Sequence, residues 1–457
     1  MNLLYELPVD SALDHLSLVL NATAMKQEFE QRLFQGDKTP GKKFLLKDCR
    51  IERIKYKPGK NCLVCYRLFV QDRESGQEQD QLLCGRIYPP GGSASRHIKA
   101  QKASLAPTPC TPPLLHFPDL NMVFWTFPNE RKLHALPQLT HPEFLEKNIV
   151  RQLAGDRWGG SWKVEGMSHS IVHYVPEHTC SFRVEVRLRH QVTREAKPWV
   201  IFGKTYYDDE GVQTNETMRQ LWASESRRTG RLGMAQPLKY YEPLNNFWQE
   251  GLPGEPLFNM DRTHPDFPAA IERSGAMIAA LHNTPVTTSR CTRLPEAVSR
   301  LKEMETLLGA SRPAIKLKVA HLANRLVRQA DNLDTGTSAT LHGDLHLKNI
   351  LAAGDDVFLI DLDNVSRGAP QFDLGSFLAG MIYLTKLDGN DWDAFNHFTG
   401  RFFNSYLNHV PWTLSQADLN WHIAAALINE RAFRCLTRLK PGRLELIDTL
   451  IDLAHSI

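Results

Sequence analysis

The chain has 457 residues, with 54 Lys and Arg against 51 Asp and Glu and a formal net charge of +3. Hydrophobic residues make up 42% and charged residues 23%, the balance of a folded globular protein, which excludes wholesale disorder. That charge balance gives no electrostatic footprint for nucleic acid, and no apolar run approaches the ~18 residues that span a bilayer.

At ~100–200 residues per domain, the length predicts two to four domains. The first twenty residues are interrupted by Glu6, Asp10 and Asp14 and lack a basic stretch followed by an apolar one. No secretory leader is therefore expected, and the expected location is cytoplasmic. Eight cysteines in a chain this long are sparse and read as reduced thiols. Residues 9–34 predict one amphipathic helix, with Leu13, Leu16, Leu20, Met25, Phe29 and Leu33 mainly at helical spacing. Strands follow at CRIERIKY (49–56), CLVCYRLFV (62–70), LLCGRIY (82–88) and NMVFWTF (121–127). Cys62 and Cys65 form a C-x-x-C, but on a strand such a pair faces opposite sides. No second pair follows at zinc-finger spacing, so buried thiols are expected there.

The pattern then returns. IKYKPGKNC (54–62) is echoed by VHYVPEHTC (172–180), and CGRIY (84–88) by FGKTY (202–206), each 118 residues on. Tyr56, Pro58, Cys62, Gly85 and Tyr88 recur as Tyr174, Pro176, Cys180, Gly203 and Tyr206, and Arg86 is matched by Lys204. LNMVFW (120–125) resembles LNNFW (244–248) after a small insertion. Two β-rich modules of common ancestry are expected. From about residue 265 the chain turns helical, with stripes such as Ile271, Gly275, Ile278 and Leu281.

Between residues 339 and 363 the period becomes strand-like. His342-Gly343-Asp344 is followed by Asn349, and a short hairpin leads into Asp361-Leu362-Asp363. Phosphoryl transfer needs a positioned nucleophile, metal ions on the phosphates and positive charge near the departing oxygens. Asp344 offers a carboxylate to orient a hydroxyl and take its proton. Asn349 and Asp361 offer oxygen ligands to magnesium, a hard cation.

The H-G-D-x-x-x-x-N string with a following hydrophobic-D-x-D resembles the aminoglycoside phosphotransferase and choline kinase-like branch of the protein-kinase-like fold. The distal DLGSFL, with Asp373, fits the same branch. The resemblance implies an ATP- and Mg2+-dependent kinase acting on a small-molecule hydroxyl. Asp344 would be the catalytic base, Asn349 and Asp361 the magnesium ligands, and Asp363 a direct or supporting metal partner. His342 and Asp373 would be structural. The fold class implied is α+β: a bilobal protein-kinase-like fold preceded by a duplicated β-rich cap similar to that of maltokinase-like enzymes. The expected division is a cap at 1–150, a nucleotide-binding lobe at 151–254 and a helical catalytic lobe at 255–457.

Within the second repeat, Lys204 resembles the strand lysine that contacts the α- and β-phosphates. Its partner glutamate is expected on the following helix, at Glu216 or Glu225, with Glu216 preferred. The turn VPEHT (175–179) would cover the phosphates, with polar donors near His178 and Thr179. Backbone groups from Gln249 to Gly251 would hold the adenine. Asp388, Asp391, Asp393 and Glu430 offer an acidic wall for a cationic acceptor, although helix capping or solvation explains the same residues. Trp392 and Trp421 are expected in core packing rather than stacked on sugar rings. A sugar-like acceptor is the first expectation and an aminoglycoside the second. The competing reading is a nucleotide-binding regulator or scaffold with the first module as its partner surface. No nucleic-acid or membrane partner is expected, and the oligomeric state is not legible.

Overall fold

The structure, a computed structural model, describes residues 10–35, 42–334, 336–387, 389 and 391–457. The stretch after Asp10 is not one helix. α1 (Leu16–Val19) stops, α2 (Ala22–Phe29) starts afresh, and a π-helical turn, Glu30–Phe34, follows. The break has a local cause. Asn21 Oδ1 accepts from the N–H groups of Thr23 and Ala24 at 3.0 and 3.1 Å, a cap that begins a new helix. Val9, the first residue of the expected helix, lies outside the described residues.

β1 (Phe44–Lys57), β2 (Asn61–Asp72) and β3 (Glu78–Ile87) precede α3 (Gly92–Ala100), β4 (Leu114–Phe117) and β5 (Met122–Thr126). The strands form one antiparallel sheet in the order β1-β2-β3-β5-β4. α4 (Leu136–Leu139), α5 (Pro142–Leu145), a π-helical turn at Glu146–Val150 and α6 (Arg151–Trp158) follow. Then come β6 (Trp162–Val175), β7 (Thr179–His190), β8 (Ala196–Tyr206), α7 (Glu210–Ala223), α8 (Glu225–Arg228), β9 (Pro237–Tyr241) and β10 (Asn246–Glu250). Their sheet has the order β6-β7-β8-β10-β9, the same topology as the first.

The repetition reaches further than the strands. Each module begins with two short helices and a π-helical turn. Asp10 accepts from Gly59 N–H at 2.8 Å, and Glu130 accepts from Glu177 N–H at 2.9 Å, so each module ties its start to its first hairpin. Gly59 and Glu177 both sit in the left-handed region, at φ 66° and 62°. The recurring glycines have a packing reason. A Cβ at Gly85 would lie 2.4 Å from the Phe124 ring, and one at Gly203 would lie 2.7 Å from the Trp248 ring. Each module packs an aromatic ring of its fifth strand closely against bare backbone of its third. We expect Gly203→Ala to lose about 1–3 kcal/mol of stability, the usual cost of overpacking. Denaturant melts of the variant check this; an unchanged midpoint contradicts the packing.

Residues 133–154 share a buried core with the second sheet, including Phe182, Ile201 and Trp248. A boundary at 150/151 would cut through that core, so packing places the start of the second module near residue 130. The reason is that α4 to α6 spend their leucines on the sheet that follows them. Cys62 and Cys65 fall in two different apolar clusters, on opposite faces of β2.

The helical lobe contains β11 (Glu255–Pro256), α9 (Phe267–Asn283), α10 (Leu294–Ser311), α11 (Lys316–Ala330), β12 (Ala339–Leu341), β13 (Ile350–Ala353), β14 (Asp356–Leu359) and β15 (Ser366–Gly368). It closes with α12 (Gln371–Leu387), α13 (Trp392–Leu407), α14 (Gln416–Ala426), α15 (Phe433–Arg438) and α16 (Leu446–Ser456). α9 packs on α13 and α12 on α14, burying Ile271, Gly275, Ile278 and Leu281. The α+β class and the two-lobed order expected from the sequence are those observed. β1 of the first module lies against α15, so that module touches the helical lobe directly. Among the described residues, no helix is long and apolar enough to cross a membrane.

Candidate active site

β12 delivers the chain into His342-Gly343-Asp344. Gly343 has φ 80°, and a Cβ there would lie 2.2 Å from the Asn364 carbonyl oxygen, so only glycine fits. Asp373, buried in the first turn of α12, accepts from the N–H groups of His342 and Gly343 at 2.6 and 2.9 Å. His282 Nε2 lies 3.2 Å from the same carboxylate. Burial alone would raise the Asp373 pKa, but His282, His342 and the Gly343 N–H outweigh it and hold the group ionised. His342 Nε2 lies 3.0 Å from the carbonyl of Ile360, the residue before Asp361. One histidine thus links the two loops that carry the acidic side chains.

These loops face a cavity of about 770 Å3 between the second sheet and the helical lobe. Asp344, Asn349, Asp361, Asp363, Lys204 and Gln249 all line it. Asn349 Nδ2 donates to the Asp344 carbonyl at 3.0 Å, which leaves the amide oxygen as the free end. Asp361 is held in the left-handed region at φ 59°. Lys204 Nζ donates to Asp361 Oδ1 at 2.6 Å and also to Asp363 Oδ2. Tyr206 Oη donates to the other Asp363 oxygen at 2.8 Å. Burial would lower the Lys204 pKa, but Asp363 and Asp361 outweigh it and raise it. Burial and the neighbouring Asp361 charge push Asp363 up against the pull of Lys204, while Lys204 holds Asp361 below its usual value despite burial.

Among the described residues, no cluster of three or more His, Cys, Asp or Glu could hold a metal. The donors here are two carboxylates and one amide oxygen. That set fits magnesium, which keeps waters and phosphate oxygens in its remaining positions.

Asp344 Oδ1 accepts from Arg434 at 3.2 Å, and His346 Nε2 lies 3.6 Å from its other oxygen. Burial would raise the Asp344 pKa, but His346 and Arg434 outweigh it and hold the carboxyl well below the usual carboxylate range. Asp344 is therefore ionised at neutral pH.

Other expected residues lie elsewhere. On α7 the inward positions are Thr214, Thr217, Met218 and Leu221, which leaves Glu216 exposed. Glu225 pairs with Arg231 at 3.2 Å. Neither meets Lys204, whose two carboxylate partners come from the D-x-D loop instead. Gly251 N–H donates to Val200 at 2.8 Å and Glu250 N–H to Gln236 at 2.9 Å, so both donors are committed within the sheet. The next residues, Leu252 and Gly254, line the cavity. The turn at 175–179 engages the first module. Its Glu177 accepts from Arg86 at 2.5 Å and from Arg131 at 2.7 and 2.8 Å. His173 and Ser181 face the cavity in its place.

The acidic wall is absent among the described residues. Asp391 caps α13 by accepting from Ala394 N–H at 2.9 Å, and Asp393 is exposed. Glu430 accepts from Ser376 at 2.9 Å, and Asp388 lies outside the described residues. Trp421 donates to the Leu326 carbonyl at 2.8 Å within the core, and Trp392 packs against Phe395. Sequence reasoning missed Tyr206, His346 and Arg434. Arg434 had a signal: Arg431, Arg434 and Arg438 recur at helical spacing, which puts them on one face.

Residues 230–407 match the family model described as the phosphotransferase enzyme family, a segment that holds both loops and stops short of half the chain. No curated protein matches the chain. Three solved structures are similar in shape. A thermostable mutant of aminoglycoside phosphotransferase APH(4)-Ia is 10% identical, with 67% of this chain and 97% of that one covered and a TM-score of 0.46. Aminoglycoside phosphotransferase APH(3'')-Id from Streptomyces rimosus is 16% identical, with 61% and 96% covered and a TM-score of 0.39. Choline kinase LicA from Streptococcus pneumoniae is 10% identical, with 68% and 99% covered and a TM-score of 0.43. At these identities and scores the likenesses carry no weight for function.

Proposed function

We propose that this chain is an ATP-dependent small-molecule kinase that moves the γ-phosphoryl group to a hydroxyl. The observation that carries the proposal is the convergence of Asp344, Asn349, Asp361 and Lys204 on one cavity. The family match over residues 230–407 supports it. Phe202, Phe247, Gln249, Leu252 and Gly254 line the second sheet's side of the cavity; the nucleotide would lie there, with its base at backbone groups from Gln249 onward. Lys204 meets the phosphates from β8. Asn349, through its free amide oxygen, and Asp361 would hold magnesium, with Asp363 as a direct or supporting partner. A bound magnesium neutralises charge that builds on the phosphate oxygens. Asp344 orients the acceptor hydroxyl. As the acceptor oxygen bonds to the γ-phosphorus, the bond to the bridging oxygen breaks and its electron pair leaves on ADP. The hydroxyl proton passes to the Asp344 carboxylate.

The repeat supplies an internal control. Lys204 and Arg86 occupy equivalent strand positions, but Arg86 engages Asn61 and Glu177, away from the cavity. We expect Lys204→Ala to reduce kcat/KM for ATP by about 10–100-fold, the scale of a lost charge-assisted hydrogen bond. Arg86→Ala should leave it within about threefold, because Arg131 still holds Glu177. Coupled ADP release on both variants decides. Equal losses would contradict the assignment of the second sheet as the nucleotide lobe.

A further inference from the structure

The end of the cavity around Asp344 is crowded with positive charge. Arg434 and Arg438 project from α15, Arg431 precedes them on the same face, and Lys440 and Arg443 follow the helix. Lys348 faces them from the catalytic loop. Two of the six have a carboxylate within reach: Arg434 meets Asp344 at 3.2 Å and Arg431 meets Glu430 at 3.4 Å. Among the described residues, no ion pair engages Lys348, Arg438, Lys440 or Arg443. Arg431 is 6% exposed, yet its Nε has no hydrogen-bond partner, and Nη1 of Arg443 is likewise buried and unpartnered. Lys348, Arg438 and Lys440 are each pushed below their ordinary pKa, by burial first and then by the neighbouring cations. On Lys440 that repulsion includes Arg53, from β1 of the first module. Cations gathered without carboxylate partners repel one another, and an anion among them relieves that repulsion.

We propose that the acceptor is a phosphorylated polyhydroxy compound whose phosphate sits among Arg438, Lys440, Arg443 and Lys348, with its free hydroxyl at Asp344. The proposal rests on the kinase reading of the same cavity. Lys204 is the cation paired with the D-x-D carboxylates, and among the described residues none of these six cations pairs with Asp361 or Asp363. Arginine forks suit phosphate oxygens, and two arginines beside two lysines give the charge that a dianion needs. Arg434 shares its guanidinium with Asp344. The same wall repels a polycationic aminoglycoside.

The test is a panel of small sugars and polyols, each as the neutral, amino, carboxylate and phosphate form, assayed by coupled ADP release. We expect phosphate forms to exceed their neutral counterparts at least tenfold in kcat/KM. Arg438→Ala with Lys440→Ala, both exposed positions, should raise the acceptor KM at least tenfold and leave the ATP KM within about twofold. Preference for neutral, amino or carboxylate forms overturns the proposal, as does a variant that raises the ATP KM instead. Melting curves with saturating Mg-AMP-PNP, with and without inorganic phosphate, separate this proposal from the kinase reading. If nothing in the panel releases ADP, the kinase reading fails. The anion site then stands if phosphate raises the melting temperature of the wild type but not of the double variant. It falls if phosphate has no effect on the wild type.

Discussion

Asp344→Asn should lower turnover by ~10²–10⁴, the range for losing a positioned general base, and leave Mg-ATP affinity nearly unchanged. The substitution keeps the shape of the side chain and removes its charge. Asp344 is held by Arg434 and His346, and its backbone carbonyl by Asn349. An asparagine still offers an oxygen to Arg434 and leaves the backbone contact intact, so the loop should stay in place. In the proposed site the nucleotide and its magnesium would meet Lys204, Asn349 and Asp361 instead, so affinity is expected to survive. Calorimetry of Mg-ATP binding alongside ADP release, with melting curves for both proteins, separates the two effects. Full turnover in the variant would remove Asp344 from the chemistry.

Asp361→Asn should fail differently. It removes a charged oxygen from the metal set and one of the two acidic partners of Lys204. We expect Mg-ATP affinity to fall by about 10–100-fold and kcat/KM by ~10²–10³. Folding should be spared, because asparagine tolerates the left-handed φ of 59° that this position requires. Calorimetry again decides. Unchanged nucleotide affinity would mean that Asp361 serves only to pair with Lys204.

The catalytic loops were legible because their chemistry is local. His342-Gly343-Asp344, Asn349 and Asp361 lie within twenty residues, and their spacing already implies one site. Lys204 was legible through the repeat, since Gly203 and Tyr206 beside it answer Gly85 and Tyr88. The partner of Lys204 was not, because its choice depends on helical phase. The faces of α7 set by Thr214, Thr217 and Leu221 turn Glu216 outward, and no residue near Lys204 in sequence points to a loop 157 residues away. The repeat of the leading helices was hidden for another reason: leucines such as Leu13 and Leu133 serve any helix–sheet interface. The basic wall was masked by its origin on α15, on the segment after it and on a distant loop. Formal net charge averages over such clusters, and +3 gave no hint of one.

The most direct measurement is transfer itself. Wild-type protein with γ-labelled ATP, magnesium and the acceptor panel should yield a labelled phosphomonoester together with an equal amount of ADP. Asp344→Asn should form neither at a comparable rate while still binding Mg-ATP. A wild-type protein that binds Mg-ATP, transfers no label to any acceptor and loses only partner binding on Asp361→Asn would contradict the kinase account and favour a nucleotide-binding scaffold.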